Sequence, residues 1–156
     1  MATDEERLAE LKAQRAELVR KRAERLAAGA AKAQIEAEER ELAVQRAIDE
    51  AELVHGDLGH RLLRVDARHP DGTVVGSVLV KPPAPMIYRR FRNTFPELKG
   101  VKKDEALEQL WRPSVVWPDA AAVDRLLEEF PRLGDQLSDA VALLAGAKEE
   151  EVAGKS

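Results

Sequence analysis

Cysteine is absent from this chain of 156 residues. That excludes a disulfide framework, a thiolate zinc site and a cysteine nucleophile together, and it fits a reducing cytoplasm. Excess positive charge is also missing: the formal net charge is -4, whereas domains whose whole surface tracks a phosphate backbone are usually basic. No window approaches the roughly eighteen consecutive apolar residues of a membrane-spanning helix, and "MATDEERLAELKAQRAEL" lacks the basic-then-apolar order of a secretory signal. These features together predict a soluble, unprocessed, cytoplasmic protein. There is no glycine-rich phosphate loop followed by Lys and Ser or Thr, no G-x-S-x-G elbow and no H-E-x-x-H pair. An enzyme reading is thus left without a nucleophile, a metal or a cofactor, and none of the three is expected.

Charged residues, by contrast, make up 35% of the chain and alanine is abundant, a combination that points to exposed helix rather than a large core. The length suits one domain with an appendage and is too short for two full cores. Residues 1–54 are expected to form a charged helical arm. "TDEERLAELKAQRAELVRKRAERL" contains no proline and no aromatic, and Thr3 with Glu6 has the spacing of a capping box. Glu17 with Lys21 and Glu36 with Arg40 stand four apart in the favoured order, so the helix can survive with little packing. Leu8, Leu11 and Leu18 follow heptad-like spacing. The next core positions are Arg22 and Arg25, so a strict coiled-coil seam breaks after two heptads. Apolar positions resume at Ile35, Leu42 and Ile48, and self-association through the arm stays open. Gly29 marks the place for a bend, leaving one long helix and a hairpin as alternatives.

"HGDLGH" closes the arm because two nearby glycines disfavour continuation. Residues 55–146 are expected to form a compact head, opening with a β-hairpin over 61–81. Its strands are "HRLLRVDAR" and "VVGSVLVK", joined by "HPDGT", in which Pro70, Asp71 and Gly72 supply the turn chemistry. Pro82, Pro83 and Pro85 stop the second strand and a helix begins near Met86. A further helix enters at Asp104 and stops at Pro113. Two more follow, in "DAAAVDRLLEEF" and "LGDQLSDAVALLAG", and 147–156 is a polar tail. The fold class is therefore mainly α (α+β): a helical arm, one hairpin and a small helical head.

Among titratable residues, His55, Asp57 and His60 offer two imidazoles and a carboxylate, but their spacing through two glycines matches no recognised zinc pattern and reads as a helix terminus. "YRRFRNTF" is more informative. Between His55 and Gly100 basic residues outnumber acidic ones by eight to four, while residues 1–54 are acidic by thirteen to ten. Ile87, Tyr88, Phe91 and Phe95 share one helix face, and Arg89, Arg90 and Arg92 point elsewhere. Core packing beneath the hairpin is the first reading of the aromatics, a protein-binding surface the second, and nucleic acid is disfavoured. Trp111 follows the apolar spacing of Leu107 and Leu110 and should be buried. Trp117, outside helical spacing, suits either the core or an interface anchor.

The order of these features resembles a family. A strand ending in "VLVKPP", the helix "APMIYRRFRNTF", the segment "LEQLWRPSVVWPD" and the closing "AVDRLLEEFPRLGDQLSDAVALLAG", roughly residues 74 to 146, look like the tail assembly chaperones of tailed bacteriophages and phage-derived particles. The resemblance does not extend to the arm. It implies a small helical protein that binds a long tape-measure protein in the infected cytoplasm and keeps it soluble while tail-tube subunits assemble. It also implies a partner-binding surface including Tyr88, Arg89, Arg90, Phe91 and Arg92, with Trp117 added from its interface character. No catalytic residue is implied.

Overall fold

The computed structural model describes residues 3–56 and 61–146. Asp57, His60 and the tail 147–156 lie outside the described residues. The first helix, α1, runs from Asp4 to His55 and passes through Gly29 without a break, so the single-helix alternative holds. Its start follows the expected capping box: the Glu6 amide donates to Thr3 Oγ1 at 3.2 Å and the Thr3 amide to Glu6 Oε2 at 3.3 Å. The chain divides into two units between Leu42 and Ala43, earlier than the 54/55 boundary read from the sequence. The cause is burial. Val44, Ala47 and Ala51 are almost completely buried, so residues 43–55 belong to the second unit.

In the first unit the helix is held by local terms. Arg20 bridges Glu17 and Glu24, the latter at 2.6 Å, and Lys21 stands 4.0 Å from Glu17. Leu8, Leu11, Leu18, Val19, Leu26, Ile35 and Leu42 are all exposed.

The second unit is built on a sheet of order β1–β2–β3, with β1 at Leu63–Arg68, β2 at Val74–Val80 and β3 at Val115–Trp117. The hairpin appears where expected. The His69 amide donates to the Thr73 carbonyl at 3.0 Å, Asp71 Oδ1 accepts from the Thr73 amide at 2.9 Å, and Gly72 takes a positive φ of 90°. The third strand is an addition to the single hairpin. At three residues it is too short to show alternation, and it forms because the Lys81 amide reaches the Ser114 carbonyl at 2.8 Å and Leu79 pairs with Trp117.

Both faces of the sheet are covered. On one, Val65, Ala67, Val78 and Val80 pack with Leu110, Trp111, Val123, Leu133, Leu137 and Val141. These come from α3 (Val101–Trp111), α4 (Ala120–Glu129) and α5 (Leu133–Leu144). On the other, Leu79 packs with Val44 and Ala47 from the end of α1. Trp111 is buried as its spacing predicted. α3 starts at Val101, before the expected Asp104, because Gly100 adopts a φ of 62° and turns the chain sharply there. α4 is capped by Asp119, whose side chain accepts from the Ala122 amide at 2.8 Å.

Candidate functional site

The remaining helix, α2 (Pro85–Thr94), begins with Pro85 in its first turn, where a missing amide proton is harmless. Tyr88 and Phe91, with Phe95 just beyond the helix, sit three and four residues apart and fall on one face. All three are only half-buried. Instead of closing entirely into the core, they form one wall of an open groove of about 430 Å³. The Phe91 and Phe95 rings lie 4.6 Å apart at 31°.

The other surfaces of the groove come from α3 and α5. Lys103, Asp104, Leu107 and Leu110 line it from α3, and Asp135, Gln136, Asp139 and Ala142 from α5, with Arg132 just before that helix. The Lys103 ammonium stands 5.4 Å from the Phe95 ring centroid, a cation–π contact. Asp135 and Asp139 are one helical turn apart. Burial, and then the charge of Asp135, push the Asp139 carboxyl above the ordinary carboxylate value. The groove therefore combines an aromatic wall and apolar floor with two adjacent carboxylates.

A second hollow, of about 830 Å³, lies on the other side of Tyr88. Pro82, Pro83 and Pro85 line it together with Arg61, Arg89 and Arg92. Arg89, Arg90 and Arg92 are exposed. Of the residues singled out in sequence, Tyr88 thus borders both hollows, Phe91 the first, and Arg89 and Arg92 the second. Arg90 lines neither. Trp117 is separated from this surface, since it is half-buried and packs with the Leu79, Val44 and Ala47 cluster.

Sequence reasoning missed the α3 and α5 contributions. One signal was present: Asp135 and Asp139 are like charges at i, i+4, a spacing that weakens an isolated helix. Such a pair invites a search for a cation. Among the described residues, no group of three or more His, Asp or Glu is arranged to hold a metal ion, and no helix is long and apolar enough to cross a membrane. Comparison with protein-family models, curated proteins and solved structures gives no match.

Proposed function

We propose that this protein is a non-enzymatic assembly chaperone of a phage or phage-like tail, holding a long helical tape-measure protein in the cytoplasm while the tube forms around it. The observation carrying this reading is the open aromatic groove of Tyr88, Phe91 and Phe95 between α2, α3 and α5. It offers apolar surface to a client while the sheet core beneath stays closed. Sequestering a client's apolar stretches lowers the concentration free to aggregate, and repeated weak contacts along an extended client supply affinity. The resemblance of residues 74–146 to tail assembly chaperones supports the same reading. Co-expression with a long, helix-rich tape-measure protein, sought in the reading frame that follows this one, and pull-down of the pair test it. Capture of that protein, and loss of the chaperone from the finished particle, are the expected results.

A second reading rests on the exposed leucines of α1, Leu8, Leu11, Leu18 and Leu26. They suit self-association or docking on another helical protein, as in a structural adaptor that stays in the particle. Retention in purified particles selects this reading over the first. Nucleic acid is the least supported partner. A binder of that kind loses affinity steeply as salt rises, and absence of DNA or RNA binding at low salt removes it.

A further inference from the structure

We infer that the groove between α2, α3 and α5 takes a short amphipathic helix from another protein, and selects one that places Lys or Arg beside its apolar anchor, opposite Asp135 and Asp139. The inference rests on the binding reading above and adds the chemistry of the client.

The occupant's conformation follows from the walls. The groove residues belong to three helices and the turns beside them, so the lining backbone is already hydrogen-bonded within its own elements. An extended peptide needs a sheet edge to pair its backbone, and none lines this groove; a helix pairs its own. The wall positions give the length. Tyr88, Phe91 and Phe95 on one side and Asp135, Asp139 and Ala142 on the other each span seven residue steps, about 10 Å at the helical rise. That accommodates about two turns of a partner helix.

Charge gives the selection. The rim holds Asp104, Asp135 and Asp139 against Lys103 and Arg132. Lys103 is placed over the Phe95 ring. Neither Lys103 nor Arg132 comes within ion-pair distance of Asp135 or Asp139. Asp139 is half-buried and its ordinary affinity for protons is increased by burial and by Asp135, with no cation offsetting either. A client ammonium or guanidinium arriving beside an apolar anchor relieves the repulsion between the two carboxylates. A client carboxylate adds a third negative charge to a partly desolvated site, which is the repulsive half of specificity.

The test uses the full chain and three synthetic helical peptides of about four turns, alike in leucine spacing, in which Lys, Gln or Glu flanks the leucines. The Lys peptide should bind roughly tenfold more tightly than the Gln peptide, the Glu peptide weakest of all. In the double variant Asp135→Asn with Asp139→Asn the three affinities should converge. That variant also removes a like-charge pair, so its unfolding midpoint should equal or exceed the wild type, which separates lost binding from lost fold. Equal binding of Lys and Gln peptides, an unchanged order in the double variant, or no binding of any peptide overturns the inference. So does a concentration-dependent dimer of the chain that Asp139→Lys abolishes, since that assigns the groove to a second copy. The two proposals fail separately. Pull-down of the long helical protein equally by wild type and double variant leaves the chaperone reading intact and removes the groove chemistry. The predicted peptide order without capture of that protein does the reverse.

Discussion

The unit formed by residues up to Leu42 and the unit that begins at Ala43 reach order by different physics. In the first, leucines at positions 8, 11, 18 and 26 are more than half exposed, and stability comes from alanine-rich helix propensity, the Thr3–Glu6 capping box and the Arg20 ion pairs. Each such term is small and each is local. In the second, Val78, Val80, Leu137 and Val141 have no measurable exposure, and their partners are distant in sequence. Order there depends on closing long loops first and then burying apolar area. The comparison teaches that a charged, alanine-rich helix needs no core to persist, and that its exposed leucines are consequently left for something else.

Where one regime ends can be broken open by truncation, which carries the largest expected effect. Removal of residues 1–42 should leave a cooperatively folding second unit with little change in its urea midpoint. Removal of 1–54 also strips Val44, Ala47 and Ala51, uncovering Leu79 and the face it occupies. The expected loss is on the order of 5 kcal/mol, a large part of a small domain's stability. Equal midpoints for the two truncations would show that the end of α1 adds nothing to the core.

The same contrast should appear with one substitution placed in each unit. Leu79→Ala deletes a side chain that is 1% exposed and should cost about 3 kcal/mol by lost transfer and residual cavity. Leu18→Ala, at 68% exposure, should stay within about 0.5 kcal/mol by thermal unfolding. A comparable loss at Leu18 would reveal that the arm's apolar residues are already covered in solution.

Acid sharpens the comparison through Asp66, on the Leu79 face of the sheet. Burial pushes its carboxyl up most strongly among single influences, yet the hydrogen bond from Ser77 Oγ at 2.6 Å and the nearby Arg64 and Arg68 outweigh it, and the net shift is downward from 3.8. A lowered folded-state value means that the carboxylate stabilises the fold above the ordinary carboxylate pKa, and that this contribution disappears as pH falls through the lowered value. Asp139 acts in the opposite direction: its raised value costs stability near neutrality, and that cost is relieved as pH falls. Asp66→Ala should lower stability by about 2 kcal/mol at neutral pH, because Ser77 and Arg64 lose their shared acceptor. Asp66→Asn should flatten the fall in urea midpoint below about pH 4. No such flattening would mean that other carboxylates govern acid unfolding.

Legibility followed the same division between local and distant causes. The capping box, the hairpin turn at Asp71 and Gly72, and the shared face of Tyr88, Phe91 and Phe95 were readable because each depends on residues within a few positions. β3 was not, because three residues carry no period and its existence depends on Leu79 and Lys81, more than thirty positions earlier. Burial of Val44 and Ala47 was only half legible: with Ile48 and Ala51 they stand at i, i+3, i+4 and i+7 on one helix face, but that spacing does not say that Leu79 is what the face packs against. At the site, the aromatic wall was legible and the α5 carboxylates opposite it were not. Which helices face each other is decided by packing on the sheet, beyond the reach of any single window.

The smallest expected effects come from one substitution with two signs. Gly76 lies on β2 beneath α4, where an added Cβ would stand 2.7 Å from Leu126 Cδ2 and 3.0 Å from Cδ1. Leu126 can yield by changing rotamer, so Gly76→Ala should cost about 1 kcal/mol, at the low end of overpacking. Gly29 is helical, with nothing within 4 Å of the position its Cβ would take. There Gly29→Ala removes only the excess freedom of the unfolded glycine and should stabilise α1 by roughly 0.5–1 kcal/mol, read as increased helicity on heating. If Gly29→Ala instead lowers helicity or disrupts assembly with a partner, the glycine serves a close helix–helix approach, and the solvated helix described for the first unit is only its unbound form.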